Sequence, residues 1–138
     1  MRLVLDTNIV VASLRSPQGG SAELVRRVKA GRYRMLASVP LFIEYEAVVT
    51  RAEHLAAAGA SRSDVMNVLD VLAGCIEPIE IHYLWRPRLR DPGDDMVLEV
   101  AVNGRADAIV TFNRADFGTV PADFGIALLG PADVLRRS

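Results

Sequence analysis

Leu3-Val4-Leu5-Asp6-Thr7-Asn8 decides the fold. Three consecutive apolar residues that give way at once to three polar ones read as a short strand buried on both faces, carrying polar side chains at its C-terminal tip as a parallel strand does. Downstream, Ile9 to Leu14 reads as a first helix, and Ser16-Pro17-Gln18-Gly19-Gly20 interrupts it as a loop. Ser21 is the expected N-cap of a second helix, with Leu24, Val25 and Val28 at helical spacing and an end near Gly31. Tyr33 to Ala37 forms a second strand. Ser38 then caps a helix with Pro40 in its first turn and Leu41, Glu44, Tyr45 and Val48 along one face.

Either Ser61 or Ser63 starts a further helix carrying Val65, Val68, Leu69 and Leu72, which Gly74 stops; these two helices are expected to pack as a hairpin. Glu77 to Ile81 alternates as a third strand, and the Pro-containing basic segment Trp85 to Arg90 reads as a loop. Asp91-Pro92-Gly93-Asp94-Asp95 is a turn feeding a helix through Val102, with Asp91 a turn residue, one of Asp94 and Asp95 the N-cap, and Gly104 the stop. Ala108 to Thr111 is a fourth strand, Phe112 to Phe117 a loop, Ile126 to Leu129 a fifth strand, and Pro131 opens a terminal helix. The alternation implies a three-layer α/β/α domain around a central parallel sheet of four to five strands.

A length of 138 residues points to one domain over residues 1–138, and 51% apolar with 24% charged residues supports a packed core. Cys75 is the single cysteine, which excludes an internal disulfide framework; it is expected as a buried inert thiol in a reducing compartment. The chain has no apolar stretch of about 18 residues and no charged segment leading into one, so no membrane association and a cytoplasmic location are expected. Net charge is -1, and fifteen of the sixteen basic residues are arginine. Any nucleic-acid site must therefore be a local patch; the arginine bias suits phosphate recognition, and a GC-rich codon supply produces it equally well.

In an open parallel sheet, ligands bind beyond the carboxyl ends of the strands. The acids gather there: Asp6 ends the first strand, Glu44 lies a turn into the helix after the second, Asp94 and Asp95 open a helix, and Asp116 follows the fourth strand. Converging carboxylates without a lysine, cysteine or histidine among them repel one another unless some are protonated or a cation lies between them. A hard divalent ion such as magnesium or manganese meets that need, and phosphodiester hydrolysis is the matching chemistry.

Leu5-Asp6-Thr7-Asn8, Ile43-Glu44-Tyr45, Asp94 to Glu99, and Ile109-Val110-Thr111-Phe112-Asn113 through Asp116-Phe117 together resemble the PIN-domain family, and within it the VapC-like toxin ribonucleases of bacterial toxin–antitoxin pairs. The resemblance implies that Asp6, Glu44, Asp95 and Asp116 are the catalytic, metal-holding acids, supported by Asn8, Thr111 and Asn113. It also implies a single-stranded RNA substrate, a homodimer and a small cognate antitoxin. Relatives often carry aspartate where Asn113 stands, which makes Asp116 the acid of that loop and leaves the number of ions open.

Bland readings compete at each position. Asp6 is also a natural helix cap, Glu46 competes with Glu44 for the inward face, and Asp94 competes with Asp95. His54 and His82 are expected to be surface or structural residues. Arg86, Arg88 and Arg90 with Trp85 suit either an RNA groove or a solvated loop. Three rival functions are weighed. A phosphoryl-transfer domain of the receiver or haloacid-dehalogenase type wants an aspartate where Asn8 stands, or a lysine near the last strand. A non-catalytic PIN-like scaffold would be expected to have lost an acid. A flap endonuclease needs segments for which 138 residues leave no room.

Overall fold

The structure, a computed structural model, describes residues 1–83 and 89–137. Five parallel strands, β1 (Arg2–Leu5), β2 (Arg34–Ala37), β3 (Ile76–Pro78), β4 (Ala108–Val110) and β5 (Ala127–Leu129), line up in the order β3-β2-β1-β4-β5. Leu3 of β1 pairs with Met35 on one side and Ala108 on the other, so β1 is the central strand. Leu3, Val4 and Leu5 are fully buried, as a strand covered on both faces requires.

Eight helices flank the sheet among the described residues: α1 (Thr7–Arg15), α2 (Gly20–Lys29), α3 (Val39–Val49), α4 (Ala52–Ala58), α5 (Arg62–Ala73), α6 (Pro92–Asn103), α7 (Val120–Asp123) and α8 (Pro131–Arg136). Helices α1, α2 and α8 pack together, while α6 lies across β1, β2 and β4 with α3 against it. The chain steps outward from β1 to β2 to β3, then α6 carries it back past β1 to β4. Strand order therefore reverses between β1 and β4, and a crevice opens at their carboxyl ends.

Most expected elements form close to their expected limits, with four departures. Ser21 is not the N-cap of α2: Gly19 and Gly20 let the helix start earlier, leaving Ser21 buried in its first turn. The capping residue of α6 is Asp91, whose carboxylate accepts from the Gly93 N–H at 2.8 Å, so neither Asp94 nor Asp95 caps it. Helix α4 intervenes where a simple hairpin between α3 and α5 was expected, and β3 ends at Pro78, one further bond running from the Ile79 N–H to the Ala37 carbonyl at 2.9 Å. Cys75 is half-buried rather than buried, its Sγ 3.5 Å from the Val71 carbonyl. No helix of the described residues is long and apolar enough to cross a membrane.

Candidate active site

Asp6 stands at the tip of β1, in the N-cap position of α1. Its N–H donates to the Val110 carbonyl at 2.9 Å, which ties the residue to the end of β4. The Thr111 hydroxyl donates to Asp6 Oδ2 at 2.7 Å and itself accepts from the Asn113 N–H at 3.0 Å. Thus Thr111 orients the acid, and Asn113 supports it through its backbone. Buried Tyr45 secures the other side, its hydroxyl donating to the Leu5 carbonyl at 2.5 Å. Burial, reinforced by the nearby Asp6 charge, pushes the Tyr45 phenol far above its ordinary value, so it remains a donor.

A cleft of about 780 Å³ opens over Asp6. Glu44 reaches it from α3 and Asp91 and Asp94 from the start of α6. A Cβ on Gly93 would crowd the Asp91 carboxylate at 3.3 Å while meeting Glu44 Oε1 only at an ordinary contact distance of 4.0 Å. Glu46 turns instead toward a separate groove with Phe42 and Ile43, so Glu44 is the glutamate of α3 that lines the cleft. Beside it, a second cavity is lined by Arg90, Asp91, Asp94 and Asp116. Asp94 and Asp91 thus form a shared wall between the two.

Asp95, the acid favoured from sequence, is not on that wall. With Asp91 as N-cap, Asp94 is the third helical residue and Asp95 the fourth, about 100° further round the helix. Asp95 is only 3% exposed, and its Oδ1 accepts from the Leu89 N–H at 3.0 Å. The structure therefore gives Asp94 the cleft and Asp95 the task of anchoring the chain that leads into α6. Asn8 lines the cleft, and its buried Oδ1 has no hydrogen-bond partner among the described residues.

The electrostatics mark Asp94 as the meeting point. Its carboxyl is pushed up to about 7, first by desolvation and then by the charges of Asp6, Asp91, Asp116 and Asp95. Asp6 is also raised, chiefly by burial, with Asp116 and Asp91 adding to it against the opposing hydrogen bonds from Thr111 and Thr7. Burial and mutual proximity together make these acids costly to ionise. The N-termini of α1 and α6 offset part of that repulsion with their positive ends.

The donor set is all hard oxygen, which fits magnesium or manganese. As the side chains stand, no three His, Cys, Asp or Glu of the described residues form a group able to hold a metal ion. Magnesium commonly takes one or two carboxylates and completes its shell with water, so the arrangement fits a largely hydrated ion.

The cleft also presents Arg15, Arg51, His54 and Phe112, none of them among the expected site residues. His54, expected at the surface or in a structural role, lines the cleft with Nδ1 buried and without a partner among the described residues. Arg51 and His54 sit at the start of α4, the helix the sequence pattern did not disclose. His82 pairs with Glu80 at 3.6 Å away from the cleft. The proposed groove residues Trp85, Arg86 and Arg88 lie outside the described residues.

A parallel sheet in this order brings acids from three distant segments to its switch point, where α/β domains of this kind place their ligands. The model of a PIN domain matches residues 2–115, and the chain belongs to the PIN-domain family, whose members are generally nucleases. The match stops one residue short of Asp116. Among solved structures, a chain of the VapBC2 complex from Rickettsia felis bound to a DNA fragment from its promoter is similar in fold. The TM-score is 0.64 at 15% identity, covering 94% of this chain and 98% of that one. No curated protein matches the chain.

Proposed function

We propose that this protein is a metal-dependent endoribonuclease that hydrolyses phosphodiester bonds of single-stranded RNA in the cytoplasm, and is the toxin of a toxin–antitoxin pair. The observation that carries this reading is the convergence of Asp6, Glu44, Asp91 and Asp94 on one cleft that also presents two arginines, where desolvation first and then the neighbouring carboxylates push Asp94 up to about 7. Asp6, Asp94, Asp116 and Glu44 would hold magnesium or manganese, which would acidify a bound water and neutralise phosphate charge. Thr111 fixes the Asp6 carboxylate, and Asp95 holds the segment before α6 in place. Arg15 and Arg51, on the cleft's rim, offer guanidinium forks to flanking phosphates.

The partner reading draws support from the similar chain being part of a VapBC complex, and from apolar residues left exposed on α3, Val39 at 71% and Ile43 at 58%. A cognate antitoxin or a second copy of the chain would cover such a face. The deciding experiment incubates mixed cellular RNA with wild type and with Asp6→Asn, in manganese, in magnesium and in excess chelator. Cleavage by wild type in metal alone supports the proposal; equal cleavage in chelator, or by Asp6→Asn, ends it.

A further inference from the structure

Beside the acidic cleft lies a smaller slot of about 330 Å³, walled by Gly19, Gly20, Ser21, Phe112, Pro131 and Ala132. It is at the lower end of the size range of small-ligand pockets. The slot and the cleft share Ala12, Ser16 and Phe112, so one continuous surface runs from the acids into it. Phe112 is the hinge of that surface, an aromatic side chain 54% exposed directly after Thr111. Opposite it the walls carry little side chain: a Cβ on Gly20 would sit 3.5 Å from Pro131 Cβ and narrow the slot.

Ser21 supplies a second, independent observation. It is 4% exposed, and its Oγ has no hydrogen-bond partner among the described residues. A serine inside a helix ordinarily turns back to the carbonyl four residues earlier, but here that residue, Pro17, lies outside α2. A buried hydroxyl in a native structure calls for a partner; Ser21 lines the slot, and since its Oγ is closed off from solvent in this arrangement, a turn about χ1 is what would bring the hydroxyl, able both to donate and to accept, to a ligand there.

We propose that this slot is a nucleobase subsite, in which a base of single-stranded nucleic acid stacks on Phe112 and meets the Ser21 hydroxyl with its polar edge. The proposal rests on the nuclease reading, with the strand's backbone lying in the acidic cleft. A flat ring suits walls of glycine backbone and proline, and stacking on an aromatic accepts any base. The hydroxyl then ranks the bases according to the edges they present.

The test is binding of short fluorescently labelled single strands, RNA and DNA, with calcium in place of magnesium or manganese so that the acids are neutralised, the strands being checked on a gel to be uncut. Phe112→Ala removes the stacking face, and Ala132→Phe fills the slot from an exposed position. Each is expected to weaken binding of base-bearing strands about tenfold in both sugar series, and to leave binding of an abasic strand unchanged. Ser21→Ala is expected to change the order of preference among oligo-A, oligo-C and oligo-U. Matching melting curves establish that the variants fold. Equal affinity of wild type and both slot variants overturns the proposal, as does wild type binding abasic and base-bearing strands alike. Slot-dependent binding with no cleavage by wild type in manganese or magnesium upholds the subsite and removes the hydrolytic reading instead.

Discussion

At the scale of the residue, adjacent aspartates have different environments, and their substitutions should differ accordingly. Asp94→Asn removes the carboxylate facing both cavities, so metal-dependent cleavage should fall at least a hundredfold, whereas Asp95→Asn keeps an oxygen for the Leu89 N–H and should retain activity within about tenfold. Parallel single-turnover assays check this ordering. The Asp94 carboxyl rises from 3.8 to about 7 on folding, so the folded state binds its proton more tightly than the unfolded chain does. Any stability this gives is present below about pH 4 and is lost as pH rises through 7. In chelator, Asp94→Asn should melt like wild type near pH 4 and above it at pH 8, with the gap opening between; a gap independent of pH would refute this account. Thr111→Val deletes a donor to the half-raised Asp6 carboxylate without changing side-chain size. It should move the acidic limb of the pH–rate profile to higher pH, because the ionised form of Asp6 loses a partner.

At the scale of the element, caps decide where acids point. The buried Ser38 Oγ accepts from the Leu41 N–H at 3.2 Å and starts α3, which carries Glu44 and Tyr45. Ser61 and Asp64 cap α5 reciprocally on the surface. Replacing either serine by alanine should cost about 1 kcal/mol in chemical denaturation. Only Ser38→Ala should also lower kcat, since α5 brings no residue to the cleft. The same caps explain what could be read beforehand. Ser38 and Gly74 announced their helix ends, and Leu3-Val4-Leu5 announced the central strand, because these signals are local. The first turn of α6 misled: three aspartates within five residues all qualify as caps, and only the bond from Gly93 to Asp91 reveals which one is used. Helix α4 was illegible because Ala52–Ala58 has no buried residue and hence no apolar stripe, only alanine's propensity. With it went Arg51 and His54.

At the scale of the whole molecule, the cleft is a product of sheet topology. Asp6 and Asp116 come from either end of the sequence and meet because β4 is hydrogen-bonded beside β1. Adding manganese to metal-free wild type should raise Tm, as binding to the folded state alone requires, and the rise should vanish in Asp6→Asn; equal shifts in both would place the ion elsewhere. The order of the acids along the chain also sets when the cleft is completed during synthesis. During translation Asp6 and Glu44 leave the ribosome first, while β4 and Asp116 follow some sixty residues or more behind Glu44. A nascent chain therefore holds only half the cleft, and the acids come together only when β4 inserts beside β1.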